Sequence, residues 1–274
     1  MSLWTTERDG AVVVATYLNP PMNYFCAEGA GELLELIETW RDPEIRAVVL
    51  TGGMDGKFIT HYSVEELVDI ASDKAGMEAM GTALNANYHA MLRKLRDLPK
   101  VVIAAMNGDT MGGGFELSLS CDIRIGGAGD HRFGLPEITL GILPGGCGTQ
   151  RLPRMIGVGR AIDFILRGRI CRPEEALEMG LIAEVAPDAA KRAREIARGL
   201  ATQNPSSVAE IKRCLYQGIE THLEGGLEIE GHAFMETMKS PRGLSDMQEY
   251  IALPFEKRRD WLERKSELIH PRNG

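Results

Sequence analysis

VVIAAMNGDTMGGGFELSLSCDIRIGGAGDHRFGLPEITLGILPGGCGTQRLPR occupies residues 101–154, and the order of signals within it decides the architecture. Val101 to Ala105 is a short apolar, β-branched run that reads as a strand. Asn107-Gly108-Asp109 interrupts it with turn chemistry, and Gly112-Gly113-Gly114 then opens the helix-like segment Phe115-Glu116-Leu117. A second strand is predicted from Asp122 to Ile125. Three glycines between a turn and a helix serve either as a tight packing turn or as a wall whose backbone N–H groups point at a ligand. In the second case they stabilise developing negative charge, and a well-aimed donor lowers a barrier by about 3 to 4 kcal/mol.

The same alternation continues outward. Ala11 to Leu18 and Arg46 to Thr51 are predicted strands, and between them Leu33, Leu36, Ile37 and Trp40 recur at helical spacing until Asp42-Pro43. Met77, Met80, Leu84, Met91 and Leu95 form a further stripe, expected to be core. Strands alternating with helices predict an α/β fold. After Asn204-Pro205-Ser206-Ser207 the pattern turns almost wholly helical, so residues 1–204 are taken as the chemical core and 205–274 as a helical region. Its last amphipathic stretch is Phe255 to Leu268.

Composition excludes several classes. A chain of 274 residues buries roughly 70 to 75% of its unfolded surface, enough for an enzyme-sized core. Apolar residues at 44% and charged residues at 26% are ordinary, and 31 glycines are the one excess. The net charge of -8 has the wrong sign for a nucleic-acid backbone. Cys26, Cys121, Cys147, Cys171 and Cys214 are scattered without a C-x-x-C pair, which suggests reduced thiols and a cytoplasmic setting. No leader pattern or apolar span of membrane length is expected, so no membrane partner is either. His61, His89, His131, His222, His232 and His270 never reach paired ligand spacing, and no metal site is expected. The glycine triplet lacks the Lys-Ser/Thr of a nucleotide loop, and Ile162 stands where a dinucleotide fingerprint starting at Gly157 needs its third glycine. Glu116 and Glu137 follow the triplet and a Leu135-Pro136 turn. They are either surface carboxylates or, if their segments meet, an acid and base flanking one substrate.

Residues 106–161 resemble the signature region of the crotonase superfamily, which includes the enoyl-CoA hydratases and isomerases. NPPMNYF (19–25) is similar to that family's loop at the coenzyme A entrance, AVVLTGGMDGKFITHYSVEEL (47–67) to its first oxyanion segment, and NPSSVAEIKRCL (204–215) and PFEKR (254–258) to its later helical landmarks. The resemblance implies a spiral of strand-strand-helix repeats with C-terminal helices that pack a homotrimer, often paired into a hexamer. It implies an acyl-CoA thioester substrate, with the coenzyme part of the substrate and no separate cofactor.

Residue by residue, the resemblance places the thioester oxygen between the amides of Tyr62 and Gly113, and puts Tyr24, Tyr62, Ser63, Val64, Gly112 and Gly113 around the substrate. His61 and Ser63 stand where the family carries glycine and aspartate, so His61 is expected to reshape the pocket or to join proton transfer. Cys147 replaces another common glycine. Lys57, Lys257 and Arg258 are candidates for the coenzyme's phosphates. Glutamates at both 116 and 137 favour hydration of a trans-2-enoyl-CoA, with Glu116 activating water and Glu137 protonating the α carbon. The alternatives are isomerisation of a 3-enoyl-CoA or another crotonase-type reaction, and a non-catalytic acyl-CoA-binding protein.

Overall fold

The structure, a computed structural model, describes residues 2–269. The antiparallel pair β1 (Trp4–Asp9) and β2 (Val12–Tyr17) leads into α1 (Ala27–Thr39). The next turn is β3 (Ala47–Gly52), β4 (Gly56–Ile59), α2 (Val64–Ser72), α3 (Lys74–Met80), a 3-10 turn (Gly81–Asn85) and α4 (Ala86–Arg96). A third turn comprises β5 (Val101–Met106), β6 (Gly108–Met111) and α5 (Gly112–Ser118). A fourth has β7 (Ile123–Gly127), β8 (Phe133–Gly134), a 3-10 turn (Glu137–Leu140), α6 (Gly148–Ile156) and α7 (Val158–Leu166). Then follow β9 (Ile170–Cys171), α8 (Pro173–Glu178), β10 (Glu184–Ala186) and α9 (Ala189–Ala201).

One sheet is ordered β1-β2-β3-β5-β7-β10 and the other β4-β6-β8-β9, so in the middle three turns the first strand joins the larger sheet and the second strand the smaller. Apart from the β1–β2 and β8–β9 pairs, neighbours run parallel. This is the strand-strand-helix spiral that the resemblance implied. Parallel strands buried on both faces explain the unbroken apolar runs. Val13, Ala15, Val48, Leu50, Val102 and Ala104 face the main core, while Val12, Val14, Ala47, Val49, Val101 and Ile103 face α9 through Ala193, Ile196 and Ala197.

Two expectations are corrected. The methionine stripe is not one core face, because Gly81, at φ +53, breaks the chain between α3 and the 3-10 turn. Met91 and Leu95 are buried, but Met80 and Leu84 are 47% and 40% exposed. The second predicted strand runs from Ile123 to Gly127 rather than from Asp122 to Ile125, and just before it stands the Asp122 carboxylate. It accepts from Val102 N, Lys212 Nζ and Tyr216 Oη at 2.7 to 2.8 Å, tying a later helix to the sheet.

That helix is α10 (Pro205–Gly218), followed by α11 (Leu223–Lys239), α12 (Pro241–Ala252) and α13 (Phe255–Ile269), which returns to α9. Met1, His270 and residues 271–274 lie outside the described residues. Among the described residues no helix is long and apolar enough to cross a membrane. The spiral's functional consequence is local. Because β4 and β6 are neighbours in the second sheet, the segment after β4 (Thr60 to Ser63) and the glycine start of α5 lie side by side.

Candidate active site

The first candidate oxyanion donor is aimed by a single β-bridge. Phe25 N donates to His61 O at 2.8 Å, and Ser63 N donates to Phe25 O at 2.7 Å. In a trans peptide the C=O and N–H point in opposite directions, so a His61 carbonyl held by Phe25 turns the Tyr62 N–H away from it. No acceptor for that N–H is found among the described residues. The second donor follows from helix geometry, because Gly113 lies in the first turn of α5, where amides have no intrahelical acceptor. Gly112, at φ +50, turns the chain into the helix, and a Cβ at Gly114 would come within 2.0 Å of Ile59 O. Close approach therefore requires the triplet, and it brings the two segments together: a Cβ at Gly113 would lie 3.5 Å from Tyr62 N.

His61 does not need glycine's backbone freedom. Among the described residues the non-glycines with left-handed φ are Asn23 and Cys147. The His61 ring stacks on Tyr24, with centroids 4.0 Å apart, and its Nδ1 lies 2.6 Å from Tyr62 O. That carbonyl accepts only from an N–H, so the Nδ1–H tautomer is selected.

Glu116 and Glu137 come together at one cavity of about 380 Å³, with Tyr62, Val64, Gly112 and Gly113 also in its wall. Leu67, Ile70, Leu84, Ile142 and Leu143 make the rest of the wall mainly apolar. Tyr24 and Ser63 are not in that wall. Ser63 instead caps α2, its Oγ accepting from Glu66 N at 3.2 Å, and Tyr24 backs His61. Lys57, Lys257 and Arg258 are likewise absent from it; Arg258 donates to the carbonyls of Ile251 and Leu253 and covers the Phe255 ring.

The two carboxyl groups are both buried, but their surroundings differ. Glu116 Oε1 accepts from Gly146 N at 2.8 Å and Gly148 N at 2.6 Å, an arrangement that favours the carboxylate. Glu137 Oε2 is buried with no partner among the described residues, which favours the neutral acid. Burial raises both pKa values, to about 8 for Glu116, where the Glu137 charge adds to the effect, and about 7 for Glu137. The pair therefore titrates jointly and shares one proton near neutrality. On these values the proton rests on Glu116, whereas the two amide donors to Glu116 and the unpartnered Glu137 oxygen favour it on Glu137.

Sequence reasoning missed the shell that holds these groups. Tyr88 donates its hydroxyl to Gly113 O at 3.0 Å, while Asn85 Nδ2 and His89 Nε2 meet Gly145 O at 3.0 and 2.7 Å. Asn85, Tyr88 and His89 are spaced i, i+3, i+4, and a polar face of that kind on a helix was the available signal.

The profile of the enoyl-CoA hydratase/isomerase family matches residues 7–264. The chain belongs to this family. A probable enoyl-CoA hydratase from Bacillus subtilis is 34% identical over 257 residues, covering 92% of this chain and 95% of the relative. A short-chain-enoyl-CoA hydratase from Clostridium acetobutylicum is 32% identical, covering 92% and 94%. The crystal structure of an enoyl-CoA hydratase from Bacillus anthracis superposes with a TM-score of 0.83 at 30% identity, covering 91% of this chain and 96% of that one. In this hydratase/isomerase family member, Gly112 and Gly113 of the triplet, Tyr62 of the bridge to Phe25, and both glutamates line one cavity.

Proposed function

We propose that the protein is an enoyl-CoA hydratase that adds water to trans-2-enoyl-CoA thioesters. The observation that carries this reading is the pair of buried carboxyls in unlike hydrogen-bonding environments beside two unpaired amides. The amides of Tyr62 and Gly113 hold the thioester oxygen and polarise the conjugated double bond. Glu116, carboxylate through its two amide donors, takes a proton from water as the hydroxyl oxygen bonds to the β carbon. The resulting enolate takes the Glu137 proton at the α carbon, giving the 3-hydroxyacyl-CoA. The cycle closes when the proton gained by Glu116 passes back to Glu137 through solvent.

The coenzyme is part of the substrate, and the two carboxyls and two amides supply every proton and charge that the reaction needs, so we write it without a separate cofactor. The apolar wall of Val64, Leu67, Ile70 and Leu84 suits an unsubstituted acyl chain. Exposed Leu223, Leu227, Phe234 and Ile251 on α11 and α12 support assembly through the C-terminal helices as a homotrimer or hexamer. A cytoplasmic setting agrees with five free thiols.

The test is product identity by mass spectrometry and chromatography after incubation with a trans-2-enoyl-CoA and, separately, a 3-enoyl-CoA. Hydration of the first supports the reading. Turnover of the 3-enoyl-CoA alone makes the protein an isomerase, and tight binding of both without turnover makes it a non-catalytic acyl-CoA binder.

A further inference from the structure

A second cavity, of about 660 Å³, lies behind the loop that holds Glu116 and takes no part in the hydration chemistry. Its charge opposes that of the chain. Five arginines, at 93, 96, 124, 151 and 154, line it against two carboxylates, Asp122 and Glu220, in a protein of net charge -8. Several of these groups already have partners. Arg96 pairs with Asp97 and Glu220 at 2.7 and 2.6 Å, Arg124 donates to the carbonyls of Ser118, Cys121 and Leu181, and Asp122 is held by Lys212 and Tyr216. The other three arginines have no carboxylate among the described residues. Arg151 contacts the Cys147 thiol but its Nε is buried without an acceptor, Arg154 donates to Gln150 O, and Arg93 makes no ion pair among the described residues. A guanidinium nitrogen removed from water without an acceptor is unfavourable, and an oxyanion is the ligand that satisfies it.

We propose that this cavity binds a small organic anion bearing two or three carboxylate or phosphate groups, with Arg93, Arg151 and Arg154 as donors, and that the bound anion modulates the hydration site. The cavity falls in the size range of small-molecule sites. The modulation rests on the hydratase reading, whereas the binding does not.

The coupling runs through one peptide unit. The Gly145 carbonyl meets Asn85 and His89, which line the arginine cavity, while the N–H of the same peptide, on Gly146, holds Glu116 Oε1. Arg151 lines the arginine cavity, and its charge lowers the Glu116 pKa. Glu137, the Tyr88 hydroxyl and the Cys147 thiol are the other titratable groups beside Glu116, and all three are neutral when Glu137 holds the shared proton. An anion on Arg151 cancels its positive charge, so Glu116 holds a proton more tightly. The acid limb of the hydration profile then moves to higher pH, and kcat falls on that limb. KM for the enoyl-CoA stays unchanged, because the amides of Tyr62 and Gly113 are untouched.

The experiment is calorimetric titration of the full chain with citrate, and with inorganic phosphate as the smaller probe, alongside hydration pH profiles with and without citrate. We expect saturable citrate binding, weaker phosphate binding, an alkaline shift of the acid limb and an unchanged KM. Substituting the two exposed donors together, R93Q/R154Q, weakens citrate binding at least tenfold while leaving anion-free kcat intact. R151Q shifts the acid limb without any anion. Non-saturable citrate heats overturn the site, as does citrate that raises KM, which would place it on the coenzyme's phosphates. Saturable binding with an unmoved profile overturns the coupling. The calorimetry is read without turnover, so failure of the hydratase reading is distinguishable from failure of the site.

Discussion

Gly146 donates its amide hydrogen to Glu116 Oε1 at 2.8 Å across a sequence separation of 30 residues. Together with the Gly148 amide this engages one carboxylate oxygen and leaves Oε2 for the substrate. The approach is so close that a Cβ at 146 would lie 2.5 Å from Glu116 Oε2 and 2.4 Å from the Tyr88 ring.

Gly146→Ala therefore forces the carboxyl or the ring to move. Overpacking of this kind costs about 1 to 3 kcal/mol of stability. A displacement of roughly 1 Å at the general base lowers kcat by about a hundredfold. Thermal melts and steady-state rates check both effects, and unchanged kcat would show that Glu116 is not the base.

The shared proton sets the pH dependence of hydration. Activity requires the singly protonated pair, so the rate falls on the acid side as the pair takes up a second proton and on the alkaline side as it loses its only one. With the pair titrating at about 7 and about 8, the profile is a narrow bell between those values. Rates measured with saturating substrate from pH 5 to pH 10 test it, and a plateau across that range would contradict it.

Stability responds with a defined sign. Both carboxyls have folded-state pKa values above the ordinary 4.5, so the folded protein binds more protons than the unfolded chain between that value and about 8. Their contribution is fully present below pH 4.5 and is lost as pH rises through about 7 and 8. Over that window the loss is on the order of a few kcal/mol. Denaturant midpoints at pH 6 and pH 9 measure it, and E116Q/E137Q removes most of the dependence.

His61→Gly tests whether the oxyanion donor is the backbone alone. The Phe25 amide continues to hold the residue-61 carbonyl, so the Tyr62 N–H keeps its direction and hydration remains within about tenfold of the parent. Stability falls by roughly 1 kcal/mol with loss of the Nδ1 hydrogen bond and the Tyr24 stack. A loss of a thousandfold or more in kcat would assign His61 a chemical role.

The fold was legible where chemistry is local. Apolar β-branched runs such as Val101 to Ala105 lie in two-sided parallel strands, and the glycine triplet marks a helix start pressed against Ile59. Glu116 and Glu137 could be suspected from position and matched by resemblance, but spacing carried no sign that they meet, because a superhelical turn brings them together. The residues that hold them were not legible. The amides of Gly146 and Gly148 and the side chains of Asn85, Tyr88 and His89 were not singled out, since a backbone donor has no side chain to announce it and the helix was read only for its apolar stripe. The methionine stripe misled because Met80 and Leu84 share helical spacing with Met91 across a break at Gly81.

Hydration of trans-2-butenoyl-CoA by Glu116→Gln and Glu137→Gln, each purified and shown by calorimetry to bind the thioester, tests the two-carboxylate account most directly. Each variant keeps its fold and its substrate and loses at least a hundredfold in kcat, since a positioned acid or base contributes about 10² to 10⁴. Near-normal hydration by either folded variant would contradict the assignment of water activation to Glu116 and α-carbon protonation to Glu137.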